Sequence, residues 1–124
     1  MSPATQLRKV RGLGSAHAGT GHFLWQRITA ILLIPLTVWF AITAIGLSGV
    51  SQVSAMIFLS NPMHAILMGM FLLIALYHMS LGLQEVIVDY IANDILKLIL
   101  LIADYGFAVI AGAAGVLFLM RIVL

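Results

Sequence analysis

The side chains best suited to chemistry cluster in one stretch, Tyr77-His78-Met79-Ser80-Leu81-Gly82-Leu83-Gln84-Glu85-Val86-Ile87-Val88-Asp89-Tyr90. On a helix turning about 100° per residue, Glu85 and Asp89 each fall about 20° from His78, on opposite sides, and Gly82, at i+4, lies along the axis between His78 and the two acids. One stripe therefore carries an imidazole, a gap without a side chain and two carboxylates. A neutral imidazole ligates haem iron, and Gly82 lacks the Cβ that would crowd a flat macrocycle. The structural alternative for His78 is a hydrogen bond to a neighbouring helix. At Asp89-Tyr90, a phenol can donate to a quinone carbonyl while the carboxylate orients it or passes protons. The alternative there is an aspartate capping a helix and a tyrosine in an aromatic belt.

The elements that must position this stripe are membrane spans. Of 124 residues, 63% are hydrophobic and 8% charged, against roughly 25% charged in a soluble domain. Mean hydropathy is +1.17. So few charges cannot cover a water-facing surface, and the chain reads as a single-domain, all-α integral membrane protein. It has no cysteine, which excludes disulfides, thiolate metal sites and iron–sulfur ligation by this chain. The net charge of +2 has its basic excess ahead of the first apolar segment. No basic face interleaved with aromatics follows, so no nucleic-acid partner is expected.

Residues 1–23 hold Arg8, Lys9 and Arg11 without an acidic residue and read as a retained cytoplasmic tail. Gly12, Gly14, Gly19 and Gly21 argue against a continuous amphipathic presequence helix there. Three transmembrane helices follow, at about 24–47, 63–88 and 95–121, joined by an uncharged connection at 48–62 and a polar one at 89–97. Trp25 suits an interfacial anchor and Pro35 a kink. Asn61-Pro62 reads as a helix start with proline at the first position. Gly112 and Gly115, set among alanines, offer a smooth patch for close approach of another helix.

The positive-inside rule puts the basic tail in the cytoplasm of a bacterial inner membrane, or in the matrix for a mitochondrial inner membrane. This topology places Arg27, Asp89 and Tyr90 at one inner interface, where Arg27 snorkels or binds an anion. His78 lies roughly 16 Å along the helix from Asp89, near the middle of a hydrocarbon core roughly 30 Å thick. His64 is roughly 21 Å further out, too far to ligate the same iron. A bis-histidine haem would therefore need a second subunit or a second copy of this chain. His17 and His22 fall in the tail, solvated or in a protein interface. Glu85 pairs with Arg27 or a partner, carries protons, or snorkels. Asp104, at a depth comparable with His78, is a candidate to accept a hydrogen bond from the second ring nitrogen of His78. The methionines read as packing.

Taken together, Gln26-Arg27-Ile28-Thr29-Ala30 at the first span and His78-x3-Gly82-x6-Asp89-Tyr90 closing the second resemble the small membrane-anchor subunits of the succinate dehydrogenase (complex II) family. The tail segments Gly14-Ser15-Ala16 and Gly19-Thr20-Gly21-His22-Phe23 look like the alphaproteobacterial form. The resemblance covers essentially the whole chain. It implies a three-helix subunit within a hetero-oligomeric bundle, with haem b shared with a second, cytochrome b556-type anchor subunit. His78 would be an axial iron ligand, with Gly82 beside it, Tyr90 and Asp89 the rim of a ubiquinone site, and Arg27 near the haem propionates and that site. Flavin and iron–sulfur centres would belong to soluble partner subunits, and the chain would not catalyse alone. Competing readings are the anchor of a quinol:fumarate reductase, a small proton-coupled transporter using Glu85, Asp104 or His78, and an assembly protein.

Overall fold

The computed structural model describes residues 16–124, with side chains from Gly19 onward. The basic residues Arg8, Lys9 and Arg11 and the side chain of His17 lie outside the described residues. Four helices make up the described chain: α1 (Ala16–Gly46), α2 (Gln52–Ser60), α3 (Pro62–Tyr90) and α4 (Asp94–Val123). Gly19–Gly46, Pro62–Tyr90 and Asp94–Val123 are each long and apolar enough to cross a membrane, matching the expected three spans.

Local sequence explains the boundaries. Asn61 caps α3 by accepting a hydrogen bond from the Met63 amide at 2.9 Å, and Pro62 occupies the first turn, where its missing N–H costs nothing. Asn93 caps α4 through the Leu96 amide at 3.0 Å. Asp94 in the first turn and Arg121 in the last both complement the helix dipole. Gly49 adopts a positive φ of 83° in the turn leaving α1, a conformation that side chains disfavour.

Three boundaries differ from those expected. The helix begins at Ala16, so the end of the presumed tail is helical, and Gly19 and Gly21 lie inside α1. A helix tolerates isolated glycines when the following turns are strongly apolar. The connection at 48–62 contains α2, whose Ser51 cap accepts from the Ser54 amide at 3.2 Å. Nine uncharged residues give too short a periodic signal to find it. The polar connection shrinks to residues 91–93, because Asp89-Tyr90 finish α3 and Asp94 starts α4.

α3 is the central element. It packs against α1 on one side and α4 on the other, while α2 lies against α3 and α4. On α1, the positions His22, Gln26, Thr29, Leu33, Leu36 and Phe40 recur at alternating spacings of four and three. The same spacing runs through Phe71, Ala75, His78, Gly82, Glu85 and Asp89 on α3. Such spacing keeps one narrow stripe facing a partner helix. Contacts pair the two antiparallel stripes in register: His22 with Glu85, Gln26 with Gly82, Thr29 with His78. Towards the other end, the Phe40 and Phe71 rings stack at 4.4 Å. The α3–α4 contact uses the expected glycine patch. Leu73 lies 3.3 Å from where a Cβ on Gly112 would sit, and Leu72 occupies the place of one on Gly115.

Burial is inverted relative to a water-soluble bundle. Only Leu36, Ala65, Leu81, Ile87 and Leu119 are buried among the described apolar residues, whereas Thr29, Ser80 and Asp104 are buried polar ones. Large apolar side chains such as Ile31, Ile42, Ile99 and Ile110 are exposed. In a membrane span lipid solvates such side chains, while polar groups must find partners inside.

Candidate functional site

The two sides of α3 carry different polar clusters. The α1 side holds His78, Gly82 and Glu85, which share a face as the helical spacing predicted and turn it towards α1. Thr29 is 4% exposed, and its Oγ1 lies 2.8 Å from His78 Nδ1. The same oxygen lies 2.8 Å from the Trp25 carbonyl and 3.1 Å from that of Gln26. Such back-bonding to the preceding turn holds a threonine rotamer in a helix. His78 is half-buried, and among the described residues no hydrogen bond reaches its Nε2. The gap at Gly82 faces the Gln26 side chain, whose Nε2 lies 3.4 Å from the position a Cβ would take. Trp25, expected as an anchor, meets the Tyr77 ring edge-on at 6.4 Å.

Polar atoms remain unpaired on this side. Gln26 Oε1 and His22 Nε2 are buried without a hydrogen-bond partner among the described residues. His22 Nδ1 is 3.7 Å from Glu85 Oε1. Thus Glu85 faces His22 rather than Arg27, and His22 belongs to a helix contact rather than a solvated tail. His22, Glu85 and Asp89 line an open cleft with Gln84, Val88, Leu101 and Tyr105. Tyr90, the last residue of α3, is 81% exposed and has no hydrogen bond among the described residues.

The register corrects the expected depth of Arg27. With His22 opposite Glu85 and Thr29 opposite His78, the level of Asp89 on α1 is that of Ala18, so Arg27 lies roughly 13 Å deeper. It therefore shares the level of Ser80 rather than the Asp89-Tyr90 rim. The expectation failed because α1 was taken to start near Leu24, which put Arg27 in its first turn. Arg27 is also about 200° around α1 from Thr29, so it lies on the far flank, where its guanidinium sits 5.1 Å from the Phe23 ring centroid.

On the opposite face of α3, Ser80 Oγ donates to Asp104 Oδ2 at 2.5 Å. Gln84 Nε2 donates to Ser80 Oγ at 2.9 Å and approaches Asp104 Oδ2 at 3.3 Å, while Tyr105 donates to Gln84 Oε1 at 3.0 Å. Asp104 is thus partnered with Ser80 and Gln84, not with His78. Its expected role behind the histidine passes to Thr29. Depth alone suggested Asp104, but Ser80 lies about 200° around α3 from His78. His64 is engaged elsewhere, with Nδ1 3.0 Å from the Phe58 carbonyl and its ring stacked on Phe58 at 3.8 Å. Among the described residues, no three histidine, aspartate or glutamate side chains gather to hold a metal ion.

A family model described as the succinate dehydrogenase/fumarate reductase transmembrane subunit matches residues 1–120. The chain belongs to that family. The anchor is 35% identical over 106 residues to the succinate dehydrogenase hydrophobic membrane anchor subunit of Rickettsia bellii, covering 85% of this chain and 84% of the relative. It is 31% identical over 110 residues to the protein of the same name from Paracoccus denitrificans, covering 88% and 85%. A third, from Rickettsia conorii, is 30% identical over 112 residues, covering 90% and 89%. No solved structure gives a significant match. Together with the three apolar helices, these matches describe a multi-pass membrane anchor subunit of succinate dehydrogenase, and they set aside the transporter and assembly-protein readings.

Sequence reasoning named His78, Glu85 and Asp104 but missed the partners of each. Gln26 and Thr29 stood beside Arg27 in the quoted motif, yet the charged residue drew the functional role. The alternating four-and-three spacing from His22 to Phe40 was the signal for the inward-facing residues.

Proposed function

We propose that this anchor binds haem b jointly with a second, cytochrome b556-type anchor subunit and forms one wall of the ubiquinone-reduction site. Electrons from succinate, delivered through a flavoprotein and an iron–sulfur subunit, would reach ubiquinone there. The curated relatives carry the succinate dehydrogenase name, which favours succinate oxidation over fumarate reduction. The absence of cysteine agrees with flavin and iron–sulfur centres residing in partners.

The observation that carries this reading is the state of His78. Its Nδ1 is engaged by Thr29 at 2.8 Å, its Nε2 has no hydrogen-bond partner among the described residues, and it sits about three turns inside the end of α3. That fits a histidine that would hold haem iron through Nε2, since metal-bound histidines commonly use the second ring nitrogen to hold their orientation. Bound haem would supply a one-electron carrier in the apolar interior. His64 is occupied by Phe58, so a second iron ligand would come from the partner subunit. Gly82 keeps the helix surface beside His78 low.

At the rim, Tyr90 donates its phenolic hydrogen to a quinone carbonyl, and its 81% exposure leaves the hydroxyl free to do so. Asp89, in the cleft with Glu85 and His22, would orient that phenol or pass protons as the quinone is reduced. Arg27, on the outer flank of α1, meets negative charge such as a propionate at the level of Ser80. The basic N-terminal tail orients this rim to the cytoplasm of the bacterial inner membrane.

The test is the reduced-minus-oxidised visible spectrum of the purified complex. A b-type band lost in His78→Ala, with flavin and iron–sulfur subunits still co-purifying, is expected. A band of unchanged intensity in the assembled variant contradicts the ligand assignment.

A further inference from the structure

We infer that Thr29 is the positioning residue for His78, fixing the imidazole tautomer and orientation that leave Nε2 as the ligating atom. The inference rests on the haem reading above for the identity of the ligand, and on proton counting for the tautomer.

Thr29 Oγ1 has one hydrogen and three near neighbours: the Trp25 carbonyl at 2.8 Å, the Gln26 carbonyl at 3.1 Å and His78 Nδ1 at 2.8 Å. Two electronegative atoms at 2.8 Å are held by a hydrogen between them. A carbonyl oxygen carries none, so the contact with Trp25 uses the hydroxyl hydrogen. The contact with His78 must then use a hydrogen carried by the ring, on Nδ1. A neutral imidazole has one N–H, and its Nε2 is therefore left with a lone pair. The ligating role requires that lone pair, since iron binds the unprotonated nitrogen of a neutral imidazole.

Threonine suits this task better than a longer polar residue. Its hydroxyl is fixed to its own helix, and the side chain is 4% exposed, so little else competes for the oxygen. The oxygen points across the α1–α3 seam at the level where His78 stands. By accepting from Nδ1–H it also makes the ring a stronger electron donor through Nε2, which favours the oxidised iron.

The experiment compares Thr29→Val and Thr29→Ser in the intact four-subunit complex, with His78→Ala alongside. Readouts are haem content, haem midpoint potential and the low-spin electron paramagnetic resonance spectrum. Valine keeps the branched shape without the hydroxyl, so the potential should rise, the spectrum should change, and haem affinity should fall by about tenfold or more. Serine restores the hydroxyl and should return potential and spectrum to the parent values. If Thr29→Val retains the parent potential and spectrum while His78→Ala loses the haem, the role of Thr29 is overturned and the ligand assignment stands. If His78→Ala keeps its haem, the ligand assignment fails and takes the role of Thr29 with it. Should valine abolish haem binding, Thr29→Ser decides: parent-like haem supports the hydroxyl, and equal loss in an assembled complex overturns it.

Discussion

The two seams flanking α3 are built from similar residue types and end in opposite states. Between α3 and α4, Ser80, Gln84, Asp104 and Tyr105 bond one another, leaving Asp104 Oδ1 as the unpaired buried atom. Between α1 and α3, Thr29 takes only one nitrogen of His78, and both Gln26 Oε1 and His22 Nε2 are buried unpaired. In a low-dielectric interior a closed cluster holds helices together, whereas open valences are costly unless something else fills them. The α3–α4 seam is thus a clamp within the chain. The α1–α3 seam keeps valences open, and the proposed haem is the group that would fill them.

That contrast breaks most readily at the rim of the α1–α3 seam. Tyr90→Phe removes the phenolic donor and should lower quinone reduction about a hundredfold, while succinate oxidation by a soluble artificial acceptor stays near its parent rate. Equal loss in both assays would mean that Tyr90 serves assembly. On the clamp side, Asp104→Ala strands the Ser80 hydroxyl hydrogen and leaves Gln84 Nε2 only its bond to Ser80, and should cost about 1–3 kcal/mol. That loss would be read as a lower thermal midpoint of the solubilised complex, with haem content maintained. Ser80→Ala leaves Gln84 able to reach Asp104 and should cost less, on the order of 0.6 kcal/mol. The smallest change is expected from Glu85→Gln. Its contact with His22 is long at 3.7 Å and half exposed, so stability should move by less than about 0.5 kcal/mol.

Much of this contrast was legible in the sequence, and what was missed has a common cause. Three apolar runs, the Asn61-Pro62 start and the Gly112/Gly115 patch depend on local composition, and the helices reproduce them. The shared face of His78, Gly82 and Glu85 followed from helical spacing alone. What spacing within one helix cannot give is the register between helices. That register moved Arg27 away from Asp89, turned Glu85 towards His22 and assigned Asp104 to Ser80. Thr29 stood in the first-span motif without a role, because a threonine in an apolar run carries no charge to single it out. Its importance comes from standing opposite His78, a property of two helices rather than of one.

The most direct test of the distinction between seams sets two variants side by side in the purified complex: His78→Ala on the α1–α3 side and Asp104→Asn on the α3–α4 side. Their reduced-minus-oxidised visible spectra are compared at equal flavin content. An open ligand site beside a closed clamp predicts that the b-type band disappears in His78→Ala and persists at parental intensity in Asp104→Asn. A band that survives His78→Ala, or one lost in an otherwise assembled Asp104→Asn complex, would contradict it.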